Sequence, residues 1–208
     1  MGMVFGRIAE EMPKYSIVHT AANYTVRRYE PSIVAICRYG PGGWGSSSDG
    51  GPFGQLARFI GVFGKAENEG AQSIPMTAPV LINAAQPIPM TSPVVIDPSS
   101  ATHEMMFFLP ASRYSSLDEV PRPLNGNLRL ENIPERLVAT RTFSGSLRPA
   151  AAQHNLQELL SDLKTDGWKT VATPDGTPDW RVAGYNAPFV LPWFKRNEVM
   201  VNVTERAE

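Results

Sequence analysis

Just past the chain's first glycine- and serine-rich loop, two cations stand seven residues apart, Arg58 and Lys65, with Phe59 and Val62 between them. Pro52 is well placed as the first residue of a helix running to about Phe63, because proline lacks the backbone N–H that a first turn leaves unused. At about 100° per residue, Phe53, Leu56, Ile60 and Phe63 form the stripe that faces a sheet. Phe59 and Val62 then make a second apolar edge, rotated away from the stripe and flanked by Arg58 and Lys65. A flat apolar molecule with acidic substituents suits such an edge: its rings lie on Phe59 and Val62, its carboxylates against the cations. A neighbouring loop that covers the two apolar side chains and leaves the cations in water satisfies the same pattern.

A second group of residues raises the same question. Phe189, Trp193 and Phe194 fall in a proline-punctuated stretch, residues 185–195, where large rings are costly to leave in water. A ligand or the protein's own chain can cover them. Other chemistries fail on context. The segment Gly40–Gly45 fits G-x-G-x-x-G and follows a strand, but residues 46–51 separate it from the helix, and Glu67 and Glu69 fall in a loop rather than at a second strand end. Phe143-Ser144-Gly145 is no nucleophile elbow, since Thr142 stands where glycine is needed. Asp118, Glu119, Glu131, Glu135 and Asp162 share no spacing that pairs them, and no activated nucleophile accompanies a base. These residues suit binding better than catalysis, and the choice between a binding protein and an enzyme stays open.

The elements that must position these residues are organised around a repeat. Residues 74–80 (Ile-Pro-Met-Thr-Ala-Pro-Val) return fourteen positions later as residues 88–94, with six of seven matching. Prolines on both sides of each Met-Thr pair exclude a helix interior or a central strand, so each copy is a rigid entrance to a β-branched strand, at Val80–Ile82 and Val94–Ile96. Met76 and Met90 belong to these entrances and suit packing better than metal ligation. Residues 24–39 read as two strands broken at Pro31, the second with Ile33, Ala35 and Cys37 on one face and Val34 and Ile36 on the other. Further strands are expected at residues 105–109, 137–143, 180–185 and 198–203. Pro149 opens a second helix with Leu156, Leu159, Leu160 and Leu163 at helical spacing, and Gly167 stops it. Strand, strand, helix, strand, strand occurs twice, which predicts one α+β domain of two similar halves, an antiparallel or mixed sheet with one long helix on each half.

Bulk properties narrow the partners. The chain has 208 residues, 42% apolar and 19% charged, with a net charge of −1. Scattered basic residues give no footprint for nucleic acid or an anionic membrane. The uncharged run from Gly70 to Ile96 is interrupted by five prolines and is not a membrane span. A lone cysteine, Cys37, excludes an internal disulfide, fits a core position and agrees with a reducing compartment. The expectation is a cytoplasmic monomer, or an organellar one if a targeting segment has been removed.

Six segments in register carry a resemblance: residues 24–31, Arg58-Phe59-Ile60, the doubled Met-Thr-Ala/Ser-Pro-Val, residues 108–110, residues 143–145 and residues 195–199. Together they resemble the SOUL/haem-binding protein family over residues 15–204, with residues 1–14 as an extension and 205–208 as a tail. The resemblance implies a distorted β-barrel of two pseudo-symmetric halves. It also implies reversible, non-covalent binding of haem or a related tetrapyrrole in a shallow groove beside the first helix, as a carrier or buffer. Carried over, one wall is Gln55, Arg58, Phe59, Val62 and Phe63 with Lys65 beyond; the other is Phe189, Trp193, Phe194 and Lys195. Arg196-Asn197-Glu198 reads as a structural clamp at a strand start. No histidine falls on the first helix, so the pattern names no axial ligand among His19, His103 and His154. Two other functions are compatible: an enzyme that oxidises or demetallates a bound tetrapyrrole, and an effector or protein-interaction module.

Overall fold

The computed structural model describes residues 8, 10–40, 50–83, 103–186, 190–204 and 206. Among these, nine strands form one sheet: β1 (Tyr15–Thr20), β2 (Thr25–Tyr29), β3 (Ser32–Tyr39), β4 (Val80–Asn83), β5 (His103–Phe108), β6 (Leu128–Ile133), β7 (Arg136–Phe143), β8 (Trp180–Gly184) and β9 (Asn197–Val203). Helix α1 spans Pro52–Ile60 between β3 and β4, and α2 spans Pro149–Thr165 between β7 and β8. The order across the sheet is β1-β2-β7-β9-β8-β4-β5-β3-β6, and every neighbouring pair is antiparallel. The sheet curls into a half-barrel with both helices on its outer face.

This order reads the same from either side of the β8/β4 boundary once β2 is matched with β6, β7 with β3, β9 with β5 and β8 with β4. The two halves anticipated from sequence are therefore β2-β3-α1-β4-β5 and β6-β7-α2-β8-β9. Each half lends its first strand to the other, since β2 lies beside β7 and β6 beside β3. That exchange welds the halves into one sheet. The second copy of the repeat, with its strand at residues 94–96, lies outside the described residues.

Alternation along the strands divides the core. On the outer face Ile33, Ala35, Cys37, Ile82, Met105 and Phe107 pack under α1, while Val26, Ala139, Val182, Val199 and Val201 pack under Leu156, Leu159 and Leu163 of α2. On the inner face Val34, Ile36, Leu81, Met106, Phe108, Val138 and Met200 form a third cluster. Leu147 joins the two outer cores, packing partly buried against both. A Cβ at Gly184 would lie 3.3 Å from its methyl group, so the missing side chain makes room for it.

Helix α1 ends three residues earlier than the periodicity suggests. Gly61 takes the left-handed conformation (φ 86°), its N–H donates to the Arg58 carbonyl, and the Val62 N–H donates to the Ala57 carbonyl. Those paired bonds are a Schellman stop, which glycine permits and a β-carbon opposes. Phe63 therefore leaves the helical phase. It is exposed, not part of the stripe that meets the sheet, and Phe59 takes that role with Leu56 and Ile60.

Candidate functional site

Helix α1 supplies the first candidate wall, and here the structure corrects one side chain. Phe59 is fully buried beneath α1, so its ring is not on an open edge. The chain after the helix seals that side: Asn68 donates from Nδ2 to the carbonyls of Phe59 (2.8 Å) and Gln72 (2.9 Å), and the Ile74 N–H donates to the Ile60 carbonyl. Phe59 belongs to the core between α1 and the sheet, which Ile74 of the following chain also joins. Val62 and Phe63 are different. They stand in the turn after α1, 47% and 59% exposed.

Polar members of this wall are tied into the fold. Arg58 Nε lies 3.3 Å from Glu67 Oε1, which holds the guanidinium along the α1 C-terminus. The Gln55 amide donates to the Gly50 carbonyl (3.1 Å), and its oxygen accepts from Asn125 Nδ2 (3.0 Å). Lys65 is exposed two residues beyond Phe63.

The second wall is a short 3₁₀ turn, Pro192–Phe194, between β8 and β9. Leu191-Pro192 opens it, and the Gly145 N–H pins it by donating to the Pro192 carbonyl at 2.8 Å. Asn197 Nδ2 returns a bond to the Gly145 carbonyl at 2.9 Å. On this anchored turn Trp193 is 66% exposed and Phe194 42%. Their rings meet at 6.3 Å between centroids, and half-buried Lys195 follows directly. Phe189 lies outside the described residues.

Each patch thus sets two exposed apolar side chains beside a lysine: Val62 and Phe63 with Lys65, Trp193 and Phe194 with Lys195. This fits an apolar, flat ligand whose acid groups reach toward a cation. The patches sit on separate elements, one in the turn after α1 and the other on the 3₁₀ turn between β8 and β9. The candidate residues include no imidazole, thiol or thioether. His19 and His103 lie on β1 and β5, and His154 on α2. His103 stacks on Tyr39 at 5.3 Å, and burial lowers its pKa. Among the described residues no cluster of His, Cys, Asp or Glu is arranged to hold a metal ion. Met76 is 38% exposed rather than packed.

Behind the second wall lies a polar assembly that sequence reasoning located only in part. Glu198, fully buried at the start of β9, takes Arg27 Nη1 and Nη2 (3.0 and 3.2 Å), the Tyr185 hydroxyl (2.6 Å) and Arg196 Nη2 (2.6 Å). Arg27 reaches it from β2 across β7 and also donates to the Tyr29 hydroxyl at 3.2 Å. Burial pushes the Glu198 carboxyl up, but Arg27, Tyr185 and Arg196 together outweigh it and leave the carboxyl below the ordinary range. All these donors are structural, so the clamp expected at Arg196–Glu198 is present, with Arg27 as the unforeseen partner. Arg27 and Glu198 stand 171 positions apart; only the β2/β7/β9 order brings them together.

The fold is similar to that of the EcmrR C-terminal domain, at TM-score 0.55 and 13% identity over 92% of this chain and 98% of that one. It is also similar to a hydrolase from Listeria innocua (TM-score 0.55, 9% identity, 90% and 94% covered). A third likeness is to an uncharacterized conserved protein from Listeria innocua (TM-score 0.57, 7% identity, 88% and 92% covered). At these identities the likeness shows the shared fold alone. The comparison with curated proteins found no match. The profile described as SOUL heme-binding protein matches residues 10–202, nearly the whole described barrel. The chain therefore belongs to the SOUL heme-binding protein family.

Proposed function

We propose that this protein holds haem or a related tetrapyrrole reversibly and without a covalent bond, and hands it on unchanged as a carrier or buffer. The observation that carries the reading is the pair of exposed ring-and-lysine patches, above all Trp193 and Phe194 on a turn fixed by Gly145. A folded protein that keeps two large rings in water on a hydrogen-bonded platform has a surface ready for a planar partner. Val62 and Phe63 provide further apolar area, and Lys65 and Lys195 provide charge for propionate groups. The tetrapyrrole is cargo in this reading. Rings and cations bind it and orient it, and no residue at the patches acts on it as acid, base or nucleophile.

Titrating hemin into the protein and following the Soret band tests this. A saturable change is expected, weakened at least about tenfold by Trp193→Ala with Phe194→Ala, and also by Val62→Asp with Phe63→Asp, the loss of stacked aromatic area. Circular dichroism should show both double variants folded, because the four side chains are exposed. Binding that is unchanged in both would refute the patches as the site. Metal-free protoporphyrin should bind within about tenfold of hemin, since the candidate residues hold the macrocycle by its faces and acids rather than through the iron.

A further inference from the structure

The inner face of the sheet opens, at the end away from the 3₁₀ turn, into a cavity of about 380 Å³. Its apolar wall includes the inner-face side chains Ile36, Met106 and Ile133, and its polar wall includes Arg136 and Arg181. Two carboxylates, Glu104 and Glu131, also line the cavity, but both are already paired, as is Asp179 nearby. Glu104 takes Arg129 (2.8 Å) and Arg38 (3.3 Å), Glu131 takes Arg129 (3.3 Å), and Asp179 lies 3.5 Å from Arg181.

Arg136 is the cation in excess. Among the described residues it forms no ion pair, and its guanidinium carbon stands over the Tyr29 ring, 5.9 Å from the centroid. The Nε atoms of Arg136 and Arg181 are both buried without a hydrogen-bond partner. Burial pushes Arg136 down to about 10, and the neighbouring Arg181 charge pushes the same way, yet it remains a cation at neutral pH. Two under-partnered guanidinium groups at the rim of an apolar cavity are stabilised by an anion that enters, since each presents planar donors suited to a carboxylate. The cavity lies within the size range of small-molecule sites.

We infer that this cavity is a second ligand site, for a small molecule with an apolar body and one carboxylate, clasped by Arg136 and Arg181. The body lies against Ile36, Met106 and Ile133, and the carboxylate faces the two guanidinium groups. The site is separate from the haem patches and does not depend on them.

Calorimetric titration with octanoate, octanol and octylamine distinguishes a carboxylate site from a general apolar cleft. Octanoate should bind saturably and raise the melting temperature, and octanol and octylamine should bind at least about tenfold more weakly, reflecting one lost charge-assisted pair. Arg136→Gln and Arg181→Gln should each lose octanoate affinity by a similar factor while hemin titration is unchanged. If Arg136→Gln fails to fold, Arg181→Gln and the three-ligand comparison decide the matter. Equal binding of octanol or octylamine, undiminished binding by a folded variant, or no octanoate binding at millimolar concentration would each overturn the inference.

Discussion

Glu198 shows how a single residue's surroundings set its role. Its oxygens are saturated by Arg27, Tyr185 and Arg196, so it is unavailable to a ligand and serves to fix β2 against β9. Replacing it with Gln leaves two arginines facing each other without a counter-charge, and urea unfolding should show a loss of about 3–5 kcal/mol. The pH dependence has a definite sign. A carboxyl whose folded pKa is depressed contributes stability above its unfolded value, near 4.5, and loses it as pH falls through the lower folded value. Acid unfolding should therefore begin below about pH 4.5 and be blunted in Glu198→Gln. Cys37 gives a second test at this scale. Fully buried under α1, its thiol is pushed up to about 11. A thiol reagent should leave it untouched in the native protein at neutral pH and modify it fully in urea. Fast native-state labelling would contradict its place in the core. Cysteine's role was legible from the alternation of β3, whereas the Arg27 partnership was not, because no local spacing encodes contacts made across an intervening strand.

Helix α1 owes its end, and the direction of every side chain beyond it, to Gly61. Sequence periodicity identified α1 and its general orientation, but it carried the helix through Gly61 and so put Phe63 inside and Phe59 outside. The glycine was the missed signal: a residue able to adopt positive φ directly after the last turn ends the helix and resets every side chain beyond it. The consequence is measurable. Phe59→Ala should cost about 3–5 kcal/mol in urea unfolding, as for other buried phenylalanines, while Phe63→Ala should lie within about 0.5 kcal/mol of the parent. The reverse ranking would restore the longer helix. Two strands, β1 and β6, were also not anticipated. β1 is exposed along nearly its whole length, and the alternation of β6 lasts only from Leu128 to Glu131 before Asn132 breaks it, so both signals are weaker than those of the other strands. The stop of α2 at Gly167, by contrast, was readable because the leucine spacing and the glycine agree.

For the whole molecule, the internal likeness of the two halves was written in the order of elements, but the exchange of β2 and β6 was not. That exchange places the symmetry boundary at β4/β8, with α1 and α2 on either side and Leu147 wedged across it. The proposed tetrapyrrole site draws on the turns after α1 and before β9, and the proposed carboxylate site on the inner face of the sheet. No helix among the described residues is long and apolar enough to cross a membrane. The central claim, that a tetrapyrrole settles on the exposed rings of the 3₁₀ turn, is tested most directly by following the indole N–H signals of the four tryptophans in ¹⁵N-labelled protein as one equivalent of zinc protoporphyrin is added. The account predicts that the Trp193 signal, assigned through Trp193→Phe, takes the largest ring-current shift, while the signals of buried Trp168 and Trp180 hold their positions. A bound porphyrin that leaves Trp193 unmoved would contradict it.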